Sequence, residues 1–324
     1  MKPVLRALLG LLVSVFGTSG FAQIQWDMPT PYAESEFHTV NIRLFAKDIE
    51  QATNGQIKIT VHSGGSLYKM PQIKPAVQTG QVPLGEIILS FLANEDPVFE
   101  FDSIPFLAPS YKDAMRLWEA SRPAVEQRLA KQGIKVLYVV PWPTQALFTK
   151  RPVQSISDLR GLKLRSHNKP TARIIELSGA TPVQVEAAEM SQAFATGVVE
   201  GVMTSPSSAY NNSLFEFLKY GYDVHAALPK DAVLINAKAF AALDPKLQRA
   251  ILDAASRAQT RGWEMSEKET PVRIAQLREK GMTFQPPSAS LAKGFQDIGE
   301  RIAQDWRKSA GQTGDEIMRR FNAK

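Results

Sequence analysis

An α/β fold with parallel strands is predicted for this chain by three observations. Strand-like and helix-like stretches alternate from Asp158 to Ser205, and a second strand–helix–strand run covers Ile24 to His62. The third is length, since 324 residues are enough for two domains of ordinary size. Alternation of this kind makes parallel sheets with helical crossovers. Ligand sites in such sheets lie beyond the carboxyl ends of the strands.

Residues 1–22 have the layout of a secretory signal peptide. Lys2 and Arg6 form a basic start, Leu8 to Phe16 an apolar stretch, and Gly20 and Ala22 precede a predicted cut before Gln23. Gly10 and Gly17 leave the apolar run too short to span a bilayer comfortably. Cleavage would leave about 302 residues and lower the net charge from +6 to +4.

Next, "IQW" begins a strand and the loop "MPTPYAESEFH" follows it. A helix comes after, with Val40, Leu44, Phe45, Ala46 and Ile49 as its apolar stripe. Asn54-Gly55 stops that helix, and "IKITVH" alternates as a half-buried strand. A helix before Gly80 leads to "VPLGEIILS", a nearly unbroken apolar strand of the kind buried in a parallel sheet. Tyr111 to Gly133 is helical, and "IKVLYVV" is again a buried strand. Pro-Trp-Pro at 141–143 then kinks the chain before a second extended piece.

The stretch 158–205 reads as strand "LKLR", helix Thr171–Leu177 closed by Gly179, strand "TPVQV", helix Glu189–Thr196 closed by Gly197, and strand "VVEGVMT". Farther on, Asp244-Pro245 starts a long helix with Leu247, Ile251, Ala254, Ala255 and Ala258 on one face, and Pro271 inside the pattern predicts a kink. The tail reads as two helices separated by Gly311 and Gly314.

Several function classes find no support. There is no cysteine, which removes disulfides, thiolate metal sites and cysteine nucleophiles. The four histidines (38, 62, 167, 225) show no local metal-ligand spacing, and neither a nucleophile elbow nor a dinucleotide fingerprint occurs. Ser66 and Lys69 match S-x-x-K, but the partner motifs of that chemistry are missing, so the match is chance. Acidic and basic residues are interspersed without an aromatic-rich basic patch, which argues against nucleic acid. No enzyme, cofactor or metal is expected.

Strand ends give the first candidates for binding. Arg165 closes the first strand of the 158–205 run, and Thr204 and Ser205 close the last. A guanidinium holds a carboxylate with two parallel hydrogen bonds, which makes Arg165 the leading residue; the competing role is an ordinary ion pair. Tyr32, in the loop after the first strand, either covers a ligand or packs the helix start. Ile88, Leu89, Ser90 and Phe91 end the apolar strand and are expected to face the same cleft, giving it an apolar wall.

In order and close spacing, "DLRGLKLRS", "GATPV", the acidic Glu189 before an amphipathic helix, and "GVVEG" resemble the signature of the DctP-type solute-binding proteins of TRAP transporters. The resemblance implies a two-lobe periplasmic binding protein (type II-like), with a long kinked helix spanning both lobes. It further implies a small organic acid as ligand, membrane permease subunits as partners, and a monomer in the periplasm. The expected division is 1–22 signal peptide, 23–142 with 230–269 as domain I, and 143–229 with 270–324 as domain II, the ligand cleft lying between them.

By the same resemblance the chain crosses between lobes near Trp142, whose indole either stacks on a ligand or packs the hinge. Asn236 matches a strand-end Asn that commonly lies near the cleft in the family; a helix N-cap is its other reading. Gln145 stands where some sialic-acid-binding relatives carry a second Arg, and Pro83 where an Asp is common. Pro83 removes any role of that Asp, while Gln145 and the apolar strand end point to a small hydroxy, keto or aromatic monocarboxylate rather than a sialic or uronic acid. A ligand sensor for a receptor kinase would use the same pocket and is the alternative reading.

Overall fold

The computed structural model describes residues 23–323, so the expected signal peptide lies outside the described residues. In chain order the elements are β1 (Ile24–Pro29), α1 (Phe37–Ala52), β2 (Ile57–His62), α2 (Met70–Thr79), β3 (Leu84–Ile88), α3 (Tyr111–Ala130), β4 (Ile134–Pro141), β5 (Ala146–Thr149), β6 (Lys163–Ser166), α4 (Lys169–Leu177), β7 (Thr181–Gln184), α5 (Met190–Ala195), β8 (Gly201–Thr204), α6 (Pro206–Asn211), β9 (Tyr220–Tyr222), β10 (Lys230–Asn236), α7 (Ala237–Ala241), α8 (Pro245–Glu279), β11 (Thr283–Gln285) and α9 (Ala289–Asn322). Among the described residues no helix is long and apolar enough to cross a membrane.

Two lobes result. The first holds the parallel pair β1–β2 and a three-stranded sheet in the order β3-β10-β4. The second is built on a six-stranded sheet, β11-β9-β5-β8-β6-β7. Within it β6 runs parallel to both β7 and β8, as the alternating run 158–205 predicts. The sheets as wholes are mixed: β5 is antiparallel to β8 and β9, and β10 is antiparallel to β3 and β4. The cause is connectivity. The chain leaves the first lobe after β4, builds most of the second, and returns to insert β10 between two strands already laid down.

Helix α8 packs on α1 and β4 in one lobe and on α6 and β11 in the other. Its register on the first lobe is fixed by polar contacts: Trp263 Nε1 donates to the Val139 carbonyl (2.9 Å), and Asn41 Nδ2 donates to that of Ala258 (2.9 Å). Pro271 lies within this helix without ending it. The backbone break falls in α9, where Gly311 takes φ 54° and ψ −140°, outside helical space.

Two expectations change. The buried face of α1 carries His38, Asn41, Ile42, Phe45 and Ile49, whereas Val40 and Leu44 are 40% and 38% exposed. The stripe is rotated because Asn41 is claimed by α8, and polar His38 turns inward to meet carboxylates of the sheet. The C-terminal boundary also moves. Leu291, Phe295, Ile298 and Ile302 join the core of the second lobe, but Trp306, Ile317 and Phe321 join that of the first. Trp306 Nε1 donates to the Pro97 carbonyl at 2.8 Å, so segment 270–324 is shared between lobes instead of belonging to one.

Candidate functional site

Besides α8 and α9, the connections β4 to β5 and β9 to β10 pass between the lobes, and these two are bonded to each other. The Trp142 N–H donates to the Pro229 carbonyl (2.7 Å), that of Gln145 to Ala227 (3.0 Å), and that of Ala226 to Gln145 (3.1 Å). The prolines flanking Trp142 restrict the chain there, so the crossover is a defined joint. Against this joint lies a pocket with about 510 Å³ of space, its open mouth included.

Arg165 reaches the pocket from the end of β6, between Val183 of β7 and Val202 of β8. Only 4% of the residue is exposed. Its Nε donates to the Val185 carbonyl at 2.9 Å, and among the described residues no carboxylate lies within 4.0 Å of the guanidinium. Burial pulls its pKa down to about 10, against the opposing pull of Glu186, so it stays cationic at neutral pH. A buried cation without a counter-ion is costly, and a carboxylate ligand removes that cost. Beside it His167 is held near pKa 3, chiefly by burial and then by the Arg165 charge, and is therefore neutral.

Of the residues expected from sequence, Arg165, Thr204, Ser205, Tyr32, Trp142, Gln145 and Phe91 line one pocket. Several are already committed elsewhere. Ser205 caps α6, accepting from the Ser208 N–H at 3.0 Å. The Tyr32 hydroxyl donates to Asp231 Oδ1 at 2.9 Å, and its ring meets the Trp142 indole edge-on, 5.0 Å between centroids. Tyr32 and Trp142 thus pack against each other at the joint, and both line the pocket. Gln145 Nε2 donates to the Pro143 carbonyl at 3.0 Å.

Ser90 and Asn236 are not pocket residues. The Ser90 hydroxyl accepts from Asn168 Nδ2 at 2.6 Å, joining the lobes behind the wall that Ile88 and Phe91 present. Asn236 sits at the wrong end of its strand. Because β10 is antiparallel to β3, Asp231 pairs with Ile88 at the cleft while Asn236 pairs with Ile134 at the far edge. There it caps α7 through the N–H groups of Lys238 and Ala239 and donates to the Val77 carbonyl. Replacing Asn236 by Ala is expected to lower stability by about 1–2 kcal/mol and leave ligand affinity within about twofold. Urea unfolding and calorimetric titration of the same samples check this.

The pocket also contains His167, Glu186, Met70 and Pro229. Glu186 follows β7 as Arg165 ends β6, so the strand-end rule applied to the second strand would have found it. Burial raises its pKa, partly countered by Arg165. Pro229 and Met70 gave no sequence signal, since their place depends on how the lobes meet.

A two-lobe α/β receptor that encloses a buried, unpaired arginine at its joint is the class this geometry defines. The chain belongs to the DctP family, bacterial extracellular solute-binding protein family 7, whose model matches residues 31–309. A Bordetella pertussis extracytoplasmic solute receptor, DctP6, described as binding pyroglutamic acid, is 43% identical; the match covers 93% of this chain and 100% of that one, with TM-score 0.91. A marine-metagenome TRAP solute-binding protein with co-purified pyroglutamate is 38% identical, over 94% of this chain and 100% of that one, with TM-score 0.92. The periplasmic 2,3-diketo-L-gulonate-binding protein YiaO of Escherichia coli is 21% identical over 97% of both chains.

Proposed function

We propose that this chain is the periplasmic receptor of a TRAP transporter, exported by residues 1–22, and that its ligand is pyroglutamate or a close cyclic monocarboxylate. The carrying observation is Arg165, a buried guanidinium with no carboxylate within 4.0 Å among the described residues, which calls for a ligand carboxylate. Its Nε is held by Val185, leaving the two terminal nitrogens for the bidentate pair. Relatives 38–43% identical over nearly the whole chain carry pyroglutamate, which supports a lactam over the hydroxy, keto or aromatic acids expected from sequence.

The remaining lining suits such a ring. Ile88, Phe91, Trp142 and Tyr32 make an apolar wall for the methylenes. Gln145, Thr204 and Ser208 offer neutral donors and acceptors for the lactam N–H and C=O. Closing the lobes buries the acid and creates a joint surface for the permease, because the ligand binds the closed state better than the open one. The receptor acts as a monomer without chemistry on its ligand.

Small molecules released from the purified protein are identified by mass spectrometry, then pyroglutamate and glucuronate are titrated by calorimetry. Pyroglutamate is expected to bind at least about 100-fold more tightly than glucuronate, a gap of about 2.7 kcal/mol. Tight binding of a different carboxylate would replace the ligand but keep the receptor. A tight ligand lacking any acid group would remove the basis of the reading.

A further inference from the structure

Behind the pocket wall, three ionisable side chains from distant parts of the chain meet in the core of the first lobe. His38 is in the first turn of α1, Glu86 lies within β3, and Asp231 is near the start of β10. Register accounts for the meeting. Glu86 pairs with Val233 and Asp231 with Ile88, so the two acids are diagonal neighbours on one face of the sheet. Helix α1 lays His38 over them: its Nδ1 is 3.5 Å from Glu86 Oε1 and 3.4 Å from Asp231 Oδ2. All three residues are at most 2% exposed.

The outer oxygen of each carboxylate is already held. Thr30 Oγ1 donates to Glu86 Oε2 at 2.6 Å, and the Tyr32 hydroxyl donates to Asp231 Oδ1 at 2.9 Å. The inner atoms are not: His38 Nδ1 and Nε2 and Asp231 Oδ2 are buried with no hydrogen-bond partner among the described residues. Buried unpartnered polar atoms are costly, and buried carboxylates are normally paired or bound to a metal.

We propose that His38, Glu86 and Asp231 form a metal site for a divalent transition ion, of the class that accepts one imidazole and two carboxylates. The donor atoms all lie within 4.8 Å of one another. A tetrahedral ion with bonds of about 2.0–2.2 Å separates its donors by about 3.3–3.6 Å, which the two histidine–carboxylate distances match. A dication balances two carboxylates and a neutral imidazole, so no net charge is buried. Thr30 and Tyr32 hold the carboxylates from outside by hydrogen bonds, as metal-binding carboxylates are usually held. Zn²⁺ and Mn²⁺ both suit this donor set. Tyr32 links the site to the cleft, since the same side chain lines the pocket and touches Asp231.

Protons are the competing means of neutralisation. Burial pushes Glu86 and Asp231 up to about 8 and His38 down to about 4, so an uncharged cluster is possible without metal. A single proton between Asp231 Oδ2 and His38 Nδ1, 3.4 Å apart, serves only one of the two carboxylates that face Nδ1, whereas an ion engages Nδ1, Glu86 Oε1 and Asp231 Oδ2 together.

The test uses the exported chain, stripped with a chelator and returned to Zn²⁺ or Mn²⁺ alone. Elemental analysis by mass spectrometry is expected to find about one equivalent of metal per chain after dialysis, and Tm to rise by about 5 °C at saturation. His38→Gln and Asp231→Asn should each lose the bound equivalent and the Tm rise. Wild-type protein that retains neither ion and shows no Tm shift overturns the proposal in favour of protons, whether or not the variants fold. Metal retained equally by folded His38→Gln and Asp231→Asn also overturns it, by placing the ion elsewhere.

Discussion

Replacing Arg165 by Ala is expected to weaken binding of the acid ligand by at least about 100-fold, and Arg165→Lys by at least about 10-fold. The ligand carboxylate would enter a site where Trp142, Phe91 and Tyr32 exclude water, and among the described residues no other cation lines the pocket to meet it. Leaving one member of a buried charge pair alone costs about 3–5 kcal/mol, and about 1.4 kcal/mol is tenfold in affinity. Lys retains the charge but not the planar fork that presents two parallel N–H groups. The sign on stability is different. The guanidinium is a desolvated charge in the ligand-free protein, so removing it should leave the ligand-free Tm within a few degrees of wild type, despite loss of the bond to the Val185 carbonyl. The ligand-induced Tm rise should vanish in Arg165→Ala. Calorimetric affinity within about threefold of wild type would show that another group holds the acid.

Arg165, Thr204 and Ser205 were legible in the sequence because they depend only on local order: parallel strands put their carboxyl ends on one side, and β6, β7 and β8 are parallel. Asn236, set near the cleft by resemblance alone, lies at the other end of its strand and takes its alternative role, the helix cap. Its strand is closed by a partner more than 100 residues away, and nothing local to "VLIN" tells whether β10 runs with or against β3. Ser90 failed for a related reason, since its hydroxyl meets Asn168, a residue of the other lobe. The stripe of α1 was misread by the width of a single position, because apolar Val40 and Leu44 outweighed polar Asn41 and His38 on any hydropathy count. Asn41 turns inward to a carbonyl of α8, and His38 to carboxylates of β3 and β10 that stand 3.4–3.5 Å away, and none of those elements is local in sequence. Histidines scattered in sequence were for that reason no evidence of histidines without acids nearby.

Gly201→Ala is expected to destabilise the protein by about 2–3 kcal/mol, a typical cost of overpacking, while Gly197→Ala should cost about 1 kcal/mol. Both glycines belong to "GVVEG", but different physics requires each of them. Gly197 has φ +72° and open space around it, so an added methyl is strained only by its backbone. Gly201 lies in β8 between β5 and β6, paired with Thr149 and Leu164. A Cβ there would stand 2.7 Å from the Phe148 carbonyl oxygen and 2.8 Å from Leu164 Cδ2. The oxygen belongs to a strand held in the middle of a sheet and cannot step aside without parting β5 from β8. Strand β8 ends at Thr204, a pocket residue, so the shift should also weaken ligand binding, which Gly197→Ala should leave unchanged. Thermal unfolding of the two variants is expected to give a drop of about 4–12 °C for Gly201→Ala and about 2–4 °C for Gly197→Ala. If Gly197→Ala proved the more damaging, the close approach at Gly201 would be absorbed by the sheet, and backbone conformation alone would explain this motif.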